Sequence, residues 1–220
     1  MSSTKVKVVM FDQIGVVGDL EGMDEIIAAL KRIGGEGTLK KFGEIMKKLE
    51  IGELTLTQCR EHMNDLKEDL IQQGQAKETV EEEMKKINSD AVMKHLQRDE
   101  TVLAAIQTLR KNGFKAMLLT NNFWTDEGKT KSLMIENSED CFDVIVESCR
   151  VGLTKPDKKM FELALAKVGH PAEECIFLDD FPHNCIGAKA AGIQAIEVDH
   201  KAKHKALEEL QKILGCTLIN

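Results

Sequence analysis

The chain contains 220 residues and carries a formal net charge of −7. That length suits one domain, or one domain with a sizeable insertion, and the negative charge argues against a nucleic-acid binder, which would need a basic face. Apolar residues make up 42 % of the sequence and charged residues 30 %, as expected of a globular protein with a charged surface. The sequence contains no apolar run long enough to span a membrane.

The beginning of the sequence lacks the long apolar stretch and the small-residue cleavage site of a signal peptide, so we expect a cytoplasmic protein. The six cysteines have irregular spacings and include no Cys-x-x-Cys pair, which is typical of buried thiols in a reducing compartment. The six histidines show no metal-binding spacing either. The sequence makes no prediction of the oligomeric state.

Five short apolar runs, rich in β-branched residues, predict the strands of a buried parallel sheet. The runs cover residues 6–11, 115–120, 144–147, 175–178 and 195–198. Amphipathic patterns predict helices over residues 101–112 and 157–168, each followed by a glycine. The alternation of strands and helices predicts an α/β fold, a Rossmann-like parallel sheet with helices on both faces.

Between the first and second predicted strands lies a long segment with helical stripes and no strand signal. The glycine-rich stretch 34–37 separates the first two stripes, and Thr57 is the expected N-cap of the third helix. We therefore predict a core domain formed by residues 1–18 and 99–220. An all-helical cap, residues 19–98, is inserted after the first strand.

Polar residues stand where the predicted strands end. Each of them alone is consistent with an ordinary turn or surface residue, but ligands of open parallel sheets bind at the carboxyl ends of the strands. Four such groups in order along the chain therefore predict a functional site. They are Asp12 after the first strand, Thr120 and Asn121 after the second, Lys155 beyond the third, and Asp179 and Asp180 after the fourth.

These residue types suit phosphoryl transfer. A carboxylate such as Asp12 can attack phosphorus and form an acyl phosphate. Mg²⁺ removes the repulsion between that carboxylate and a phosphate ester, and Asp12 and Asp180 can supply the carboxylates that hold it. Thr120 and Asn121 can bind the non-bridging phosphate oxygens through hydroxyl and amide hydrogens. Lys155 adds positive charge where negative charge accumulates.

The same residues carry a resemblance to the haloacid dehalogenase superfamily. Residues 12–16, 118–122, 155–156 and 177–184 resemble its four motifs, in that order. Within the superfamily, the chain is similar over essentially its whole length to the N-terminal phosphatase domains of soluble epoxide hydrolases. The related domain at the start of some acyl-CoA dehydrogenase fusions is a near second.

The resemblance implies roles for the residues of the nucleophile and the metal site. Asp12 would be the nucleophile and a Mg²⁺ ligand, the main-chain carbonyl of Ile14 would be a second ligand, and Asp180 a third. Asp179 and Asn184 would support the metal site. The resemblance also implies that the first strand lies between the second and the fourth.

The resemblance also implies how a small phosphorylated substrate would be bound. Thr120, Asn121 and Lys155 would contact the phosphate, and Lys155 would balance the charge on the nucleophile as well. The helical cap would close over the site and select the substrate.

Ile14 departs from the pattern of the superfamily's phosphatases. These enzymes usually carry a second aspartate two residues after the nucleophile, which acts as general acid and base. Because an isoleucine side chain cannot transfer a proton, we expect a phosphatase of reduced efficiency. The same substitution keeps open a second hypothesis, a catalytically silent relative that binds a phosphorylated ligand or a protein partner.

Two other interpretations fit the sequence less well. A true haloacid dehalogenase needs no metal, whereas the adjacent Asp179 and Asp180 favour a Mg²⁺ site. A response-regulator receiver also places aspartate, threonine and lysine on a parallel sheet, but its acidic pair ends the first strand. The sequence up to Asn220 contains no His-Gly-Xaa-Pro or nucleophile-elbow motif, so we expect no epoxide hydrolysis.

Overall fold

The computed structural model describes residues 6–20, 23–87, 96–136 and 138–219. Strands and α-helices make up most of these residues. The strands are β1 (Val8–Phe11), β2 (Gly18–Leu20), β3 (Leu96–Arg98), β4 (Lys115–Thr120), β5 (Val144–Glu147), β6 (Cys175–Asp179) and β7 (Gln194–Glu197). The helices are α1 (Met23–Glu50), α2 (Leu56–Gln72), α3 (Lys77–Ile87), α4 (Glu100–Lys111), α5 (Ser148–Val151), α6 (Lys158–Val168), α7 (Pro182–Ala190) and α8 (Lys203–Leu214).

Five strands form one parallel sheet in the order β5-β4-β1-β6-β7. The predicted α/β class and the predicted position of the first strand between the second and fourth are thereby confirmed. Strands β1 and β6 are buried along their whole length, and β4 is buried after its first residue. Burial on both faces explains why the sequence shows continuous apolar runs here and no alternation.

Helices cover the sheet on both sides. On one side, Met160, Phe161 and Ala164 of α6 pack against alternate residues of the strands, among them Val8 and Met10 of β1. The residues between them in β1 face the opposite side, because successive side chains of a strand alternate. The rings of Phe161 and Phe177 meet edge to face with their centroids 5.6 Å apart, which ties α6 to β6.

The chain divides into two compact units. The first contains the parallel sheet and comprises Met1–Asp19, Gln97–Asn121 and Met134–Asn220. The second comprises Leu20–Leu96 and Asn122–Leu133. The predicted core range 99–220 included residues 122–133, which instead pack with the helices of the second unit. The role of this helical unit as a cap stays a prediction.

The expectation of no strand between the first and second core strands was wrong at both ends. Strands β2 and β3 pair with each other as a separate two-stranded sheet. Each contains only three residues, too few for an apolar pattern to stand out in the sequence.

Inside the second unit, the predicted turn in the glycine-rich stretch is confirmed. Gly35 has φ 62° and ψ −151° inside α1, so the helix is interrupted there and resumes beyond it. The predicted N-cap of the next helix was wrong by two residues. Thr55, not Thr57, caps α2, because its hydroxyl accepts the N–H of Gln58 while the Gln58 side chain accepts the N–H of Thr55.

The helices of the second unit share one apolar core. Its fully buried members come from α1, α2 and α3, and Phe123 of the 122–133 segment packs against it. The core residues are Ile26, Leu30, Ile33, Leu49, Cys59, Met63, Leu66, Leu70, Val80 and Met84. The amphipathic stripes of the sequence therefore face each other, as the helical periodicity predicts.

All six cysteines are free thiols, and five of them are buried, in agreement with the sequence prediction. None of the helices in the described residues is long and apolar enough to cross a membrane.

Candidate active site

The polar residues that follow the strands meet at one edge of the sheet. Strand β1 lies between β4 and β6, so the three carboxyl ends are neighbours. The N–H of Asp12 donates to the carbonyl of Leu178 at 2.9 Å, which holds the residue after β1 against the end of β6. Thr120, Asp12 and Asp179 are all buried at this edge. The topology therefore brings together groups that are more than 160 positions apart in the sequence.

Lys155 is the centre of the site. Its side chain is fully buried, and its Nζ atom lies 2.8 Å from Asp12 Oδ1 and 2.6 Å from Asp179 Oδ2. The ammonium group also lies 5.1 Å from the centroid of the Phe177 ring, within the range of a cation–π contact. Burial by itself lowers the pKa of Lys155, but the charges of Asp12 and Asp179 outweigh it and raise the pKa above the ordinary value. Lys155 therefore stays charged although it is excluded from water.

Both oxygens of Asp179 are occupied by the protein. Oδ1 accepts hydrogen bonds from the N–H of Phe181 at 2.8 Å and from Asn184 Nδ2 at 3.0 Å. Oδ2 accepts from Lys155 at 2.6 Å and again from Asn184 at 3.1 Å. A carboxylate with this many donors has little capacity left for a ligand. Asn184 and Lys155 thus hold Asp179 in place, and the roles of Asp179 and Asn184 beside a metal stay a prediction.

The two oxygens of Asp12 are in different environments. Oδ1 accepts from Lys155 Nζ and from the N–H of Gln13, the latter at 2.7 Å. Among the described residues, no donor contacts Oδ2, which leaves that atom available to a ligand. Burial raises the pKa of Asp12 from 3.8 to about 7; Lys155 opposes the rise, and the charge of Asp179 adds to it. Asp12 is thus a buried carboxylate with one oxygen held and one open.

Asp180 has a buried oxygen with no partner. Its Oδ1 atom is shielded from solvent and accepts no hydrogen bond from the described residues. Burial raises the pKa of Asp180 to about 6, and the negative charge of Asp179 adds to this rise. An unpaired buried acceptor is costly, and such groups in native proteins commonly bind an ion or water.

The backbone of the loop after β1 approaches Asp180 very closely. A Cβ atom on Gly15 would lie 2.3 Å from the carboxylate carbon of Asp180, and Gly15 has φ +85°. No residue with a side chain can adopt this position without displacing the carboxylate. The preceding residue, Ile14, has a main-chain carbonyl that accepts no hydrogen bond from the described residues.

These groups form a set of oxygen ligands that fits a hard divalent cation. Carboxylate oxygens of Asp12, Asp179 and Asp180 lie within 4.8 Å of one another. Since Asp179 is saturated by donors, the open Oδ2 of Asp12 and the unpaired Oδ1 of Asp180 are the carboxylate atoms that fit. The role of the Ile14 carbonyl as a further ligand stays a prediction. Mg²⁺ is typically bound by one or two carboxylates together with other oxygens.

Thr120 and Asn121, two of the three predicted phosphate ligands, differ in their surroundings. The Thr120 side chain is buried at the end of β4, and its hydroxyl donates weakly to the carbonyl of Asn121 at 3.3 Å. The side-chain amide of Asn121 binds the main chain of Lys155, accepting its N–H at 2.8 Å and donating to its carbonyl at 3.1 Å. Asn121 thus holds Lys155 in place, a contact that the sequence did not reveal; its role as a phosphate ligand stays a prediction.

Sequence reasoning missed three further contributors to this edge of the sheet. The main-chain N–H of Gln13 and the ring of Phe177 cannot be read from residue types, because a backbone contact and a ring position leave no pattern. Glu147 is buried at the end of β5, opposite Thr120 in the strand register, and pairs with Arg150. Its place directly after an apolar run was the one available signal.

The sequence matches one family of known proteins. The profile of the family described as haloacid dehalogenase-like hydrolase matches residues 35–198. This range covers most of the chain and includes Thr120, Lys155 and the Asp179-Asp180 pair.

Two curated relatives from Mus musculus match about half of the chain. Acyl-CoA dehydrogenase family member 10 is 39 % identical over 114 residues, which are 52 % of this chain and 10 % of the relative. Bifunctional epoxide hydrolase 2 is 36 % identical over 118 residues, which are 52 % of this chain and 21 % of the relative. The match therefore covers only a small part of each relative.

The fold is also similar to that of solved structures. One is an enzyme of the same superfamily from Bacteroides thetaiotaomicron, crystallised in complex with magnesium and inorganic phosphate. The TM-score is 0.59, the sequence identity is 22 %, and the alignment covers 88 % of this chain and 94 % of that one. At this identity the similarity concerns the fold alone.

The raised pKa of Asp12 predicts a pH-dependent cost to stability when no divalent cation is present. Between pH 4 and 7, the folded protein keeps a proton on Asp12 that the unfolded chain has lost, so stability falls as the pH rises. Asp12→Asn removes this contribution. We expect the mutant to gain stability over the wild type as the pH increases from 5 to 7, by at most about 1.4 kcal/mol per pH unit.

Urea unfolding of both proteins in a chelator, at several pH values, measures this difference in slope. Asp126→Asn is the matched control, because hydrogen bonds from Lys131 and Thr130 lower the pKa of Asp126 and it titrates below this range. Parallel pH profiles for wild type and Asp12→Asn would contradict the raised pKa.

Proposed function

Because the chain belongs to the haloacid dehalogenase-like hydrolase family, we propose that it is a Mg²⁺-dependent phosphatase that acts on a small phosphate ester through a phospho-aspartate on Asp12. The observation that carries the proposal is the fully buried Lys155 ammonium between Asp12 and Asp179, beside the unpaired oxygen of Asp180. The Bacteroides thetaiotaomicron enzyme of similar fold, crystallised with magnesium and inorganic phosphate, supports Mg²⁺ and a phosphate group as what this site would bind. We also propose a cytoplasmic location, on the basis of the six free thiols.

Mg²⁺ would be held by the carboxylates of Asp12 and Asp180 and by the main-chain carbonyl of Ile14. When bound, it would supply positive charge that offsets the repulsion between these carboxylates and a phosphate. Three carboxylates face a single ammonium in this site, so an additional cation is what the charge balance lacks. Because Gly15 has no Cβ, the Asp180 carboxylate can lie against the backbone of the loop after β1.

In the first step, a carboxylate oxygen of Asp12 attacks phosphorus. The new bond joins Asp12 to the phosphoryl group, while the bond between phosphorus and the ester oxygen breaks and the leaving group departs with the electron pair. Lys155 holds Asp12 in position through Oδ1 and offsets the charge that builds up between nucleophile and phosphate. Thr120, at the adjacent strand end, provides a hydroxyl for a phosphate oxygen.

In the second step, water attacks the phosphorus of the phospho-aspartate. The bond to Asp12 breaks, inorganic phosphate leaves, and the carboxylate is regenerated. Both steps benefit from an acid–base group, which protonates the leaving oxygen first and later accepts a proton from water. The side chain of Ile14 can do neither, so both steps depend on solvent for these protons.

Ile14 is also the observation that favours a second candidate function, a silent protein that binds a phosphorylated ligand. Such a protein would keep the phosphate site and lose turnover. The complete set of charged residues around Asp12 weighs in favour of the enzyme. The following experiments separate the two candidates.

We expect Mg²⁺ to raise the thermal stability of the protein, because it relieves repulsion between Asp12 and Asp180 in the folded state only. Asp180→Asn should lose this gain, whereas Asp65→Asn, an exposed carboxylate of α2, should keep it. Calorimetry at pH 8 with and without Mg²⁺ measures the shift in Tm. A wild-type Tm that does not change on addition of Mg²⁺ would contradict the proposed metal site.

Asp12→Asn should abolish phosphatase activity, because a neutral amide is not a nucleophile toward phosphorus. The assay is release of inorganic phosphate from a panel of phosphate esters, with and without Mg²⁺. Wild-type inactivity on the whole panel, combined with binding of inorganic phosphate, would favour the silent-binder candidate. Activity that survives in purified Asp12→Asn would place the nucleophile elsewhere.

Ile14 predicts a preference among leaving groups. Without a general acid, aryl and acyl phosphates should be hydrolysed faster than alkyl or sugar phosphates, because phenolates and carboxylates leave without protonation. The phospho-aspartate should accumulate, giving a burst followed by slow turnover. Acid–base groups typically contribute about 10²–10⁴-fold, so Ile14→Asp should raise turnover of an alkyl ester by about the lower end of that range.

The comparison requires steady-state rates of wild type and Ile14→Asp on one aryl and one alkyl phosphate. Ile14→Asn is the matched control, because asparagine has nearly the size of aspartate but no acidic group. Efficient wild-type hydrolysis of the alkyl ester, without improvement in Ile14→Asp, would mean that another residue supplies the proton.

A further inference from the structure

Another buried lysine lies in the first compact unit, at the start of α8. The side chain of Lys203 is 7 % exposed, and its Nζ atom donates to Asp19 Oδ2 at 2.8 Å. The same atom lies 3.6 Å from Asp99 Oδ2. Burying an ammonium ion is costly unless anions offset its charge, so Lys203 holds these two carboxylates beside each other. All three residues belong to the first unit.

Both carboxylates are attached to the loop after β1, residues 13–18. Asp19 follows this loop directly in the sequence. Asp99 is the N-cap of α4, where its side chain accepts two N–H groups of the helix. Its own N–H donates to the carbonyl of Val17 in the loop at 2.9 Å. Lys203 is therefore connected to the loop by the chain through one carboxylate and by a main-chain hydrogen bond through the other.

Hydrogen bonds close the loop after β1 into a tight turn. The carbonyl of Gln13 accepts the N–H of Val17 at 2.9 Å and that of Gly18 at 3.0 Å. The N–H of Gly15 donates to the carbonyl of Gly18 at 2.7 Å. Because a peptide bond joins Gly18 to Asp19, a movement of Asp19 reaches Gly15 through a single hydrogen bond.

Gly15 is the point at which the turn meets the candidate active site. Its backbone lies so close to the Asp180 carboxylate that an added Cβ would be 2.3 Å from the carboxylate carbon. Asp180 is one of the two carboxylates that fit a cation in this site. A displacement of the turn would therefore change the surface against which this carboxylate packs.

We propose that Lys203 is a positioning residue for the loop after β1. By holding Asp19 and Asp99, its ammonium group fixes the end of the turn and keeps Gly15 against the Asp180 carboxylate. Residues that orient the ligands of a metal affect its binding although they do not touch it. The effect on Mg²⁺ binding rests on the function proposed above, whereas the effect on the backbone of the loop does not.

The first test is amide hydrogen exchange in wild type and in Lys203→Met, which replaces the ammonium group with an apolar side chain of similar length. The N–H groups of Gly15 and Gly18 are donors inside the turn, so their exchange rates report its opening directly. Mutations in networks of this kind should make exchange at these two amides about 2- to 30-fold faster. The amides of β1 and β6 should keep their protection.

Two further variants make the result specific. Asp19→Asn weakens the shorter ion pair at a half-exposed position, so it tests the same contact even if Lys203→Met does not fold. The double mutant should exchange no faster than Lys203→Met alone, because the second change removes a partner that the first has already lost. Lys205→Met is the matched control, since Lys205 is an exposed lysine of the same helix.

Three outcomes of the exchange experiment would overturn the proposal. One is unchanged exchange in the turn in both Lys203→Met and Asp19→Asn. Another is an equal increase in Lys205→Met. The third is an equal increase in the turn and in the strands β1 and β6, because that would mean that Lys203 only stabilises the whole unit.

Mg²⁺ binding supplies the readout that a merely structural role would not move. In a calorimetric titration with Mg²⁺, Lys203→Met should have a Kd about 2- to 30-fold higher than the wild type, whereas Lys205→Met should keep the wild-type Kd. Loss of thermal stability with an unchanged Kd would also overturn the proposal. If the wild type binds no Mg²⁺, the metal site of the proposed function fails, and the exchange experiment still decides whether Lys203 positions the loop.

Discussion

The structure depends on one charged group that has no access to water. Burying an ammonium ion costs several kcal/mol even after relaxation, and only close, well-hydrogen-bonded anions offset that cost. Lys155 has two such anions, at 2.8 Å and 2.6 Å, and an aromatic ring beside it. The carboxylates come from the ends of two neighbouring strands, so the register of the sheet sets whether the lysine is satisfied. The charge cluster and the sheet therefore stabilise each other.

The same cluster is unbalanced in a way that points to a ligand. The two carboxylates of Asp12 and Asp179 carry more negative charge than the single ammonium of Lys155 can neutralise. Asp180 adds a third acid, whose buried Oδ1 has no donor. Burial raises the pKa values of Asp12 and Asp180, and the negative charge of Asp179 adds to both rises. Asp179 differs because donors saturate both of its oxygens. Two adjacent aspartates at the end of one strand thus differ, because donors of the protein fill both oxygens of Asp179 and leave a buried oxygen of Asp180 without a donor.

Much of this arrangement could be predicted from the sequence. Buried parallel strands need apolar residues on both faces, which produced the continuous runs, and the polar residues after them had to meet at one edge. The three-residue strands β2 and β3 were missed because a pattern needs more positions. The N-cap was wrongly predicted at Thr57, although the sequence distinguishes the two threonines: Thr55 is followed three residues later by Gln58, as a capping box requires, and Thr57 by Arg60.

The sequence could not predict which side-chain atoms of the site are already hydrogen-bonded within the protein. A residue type gives the chemistry of a side chain but not which of its atoms is already used. Asn121 has donors and acceptors that suit a phosphate, yet its side-chain amide is engaged with the main chain of Lys155. The 122–133 segment is polar and lacks periodicity, so nothing in its sequence indicated that it packs with the helices and not with the sheet.

Gly15 has a consequence for how this site could change over time. A single added methyl group would lie 2.3 Å from the Asp180 carboxylate carbon, in a backbone conformation that already disfavours side chains. Any substitution would meet a steric and a conformational obstacle together. Even alanine, the smallest side chain, would meet both, so glycine has no tolerated replacement of slightly larger size. Ile14, one position earlier, does not share the left-handed backbone conformation of Gly15. Two adjacent positions therefore differ in mutational freedom, because the backbone conformation restricts the residue type at position 15 and not at position 14.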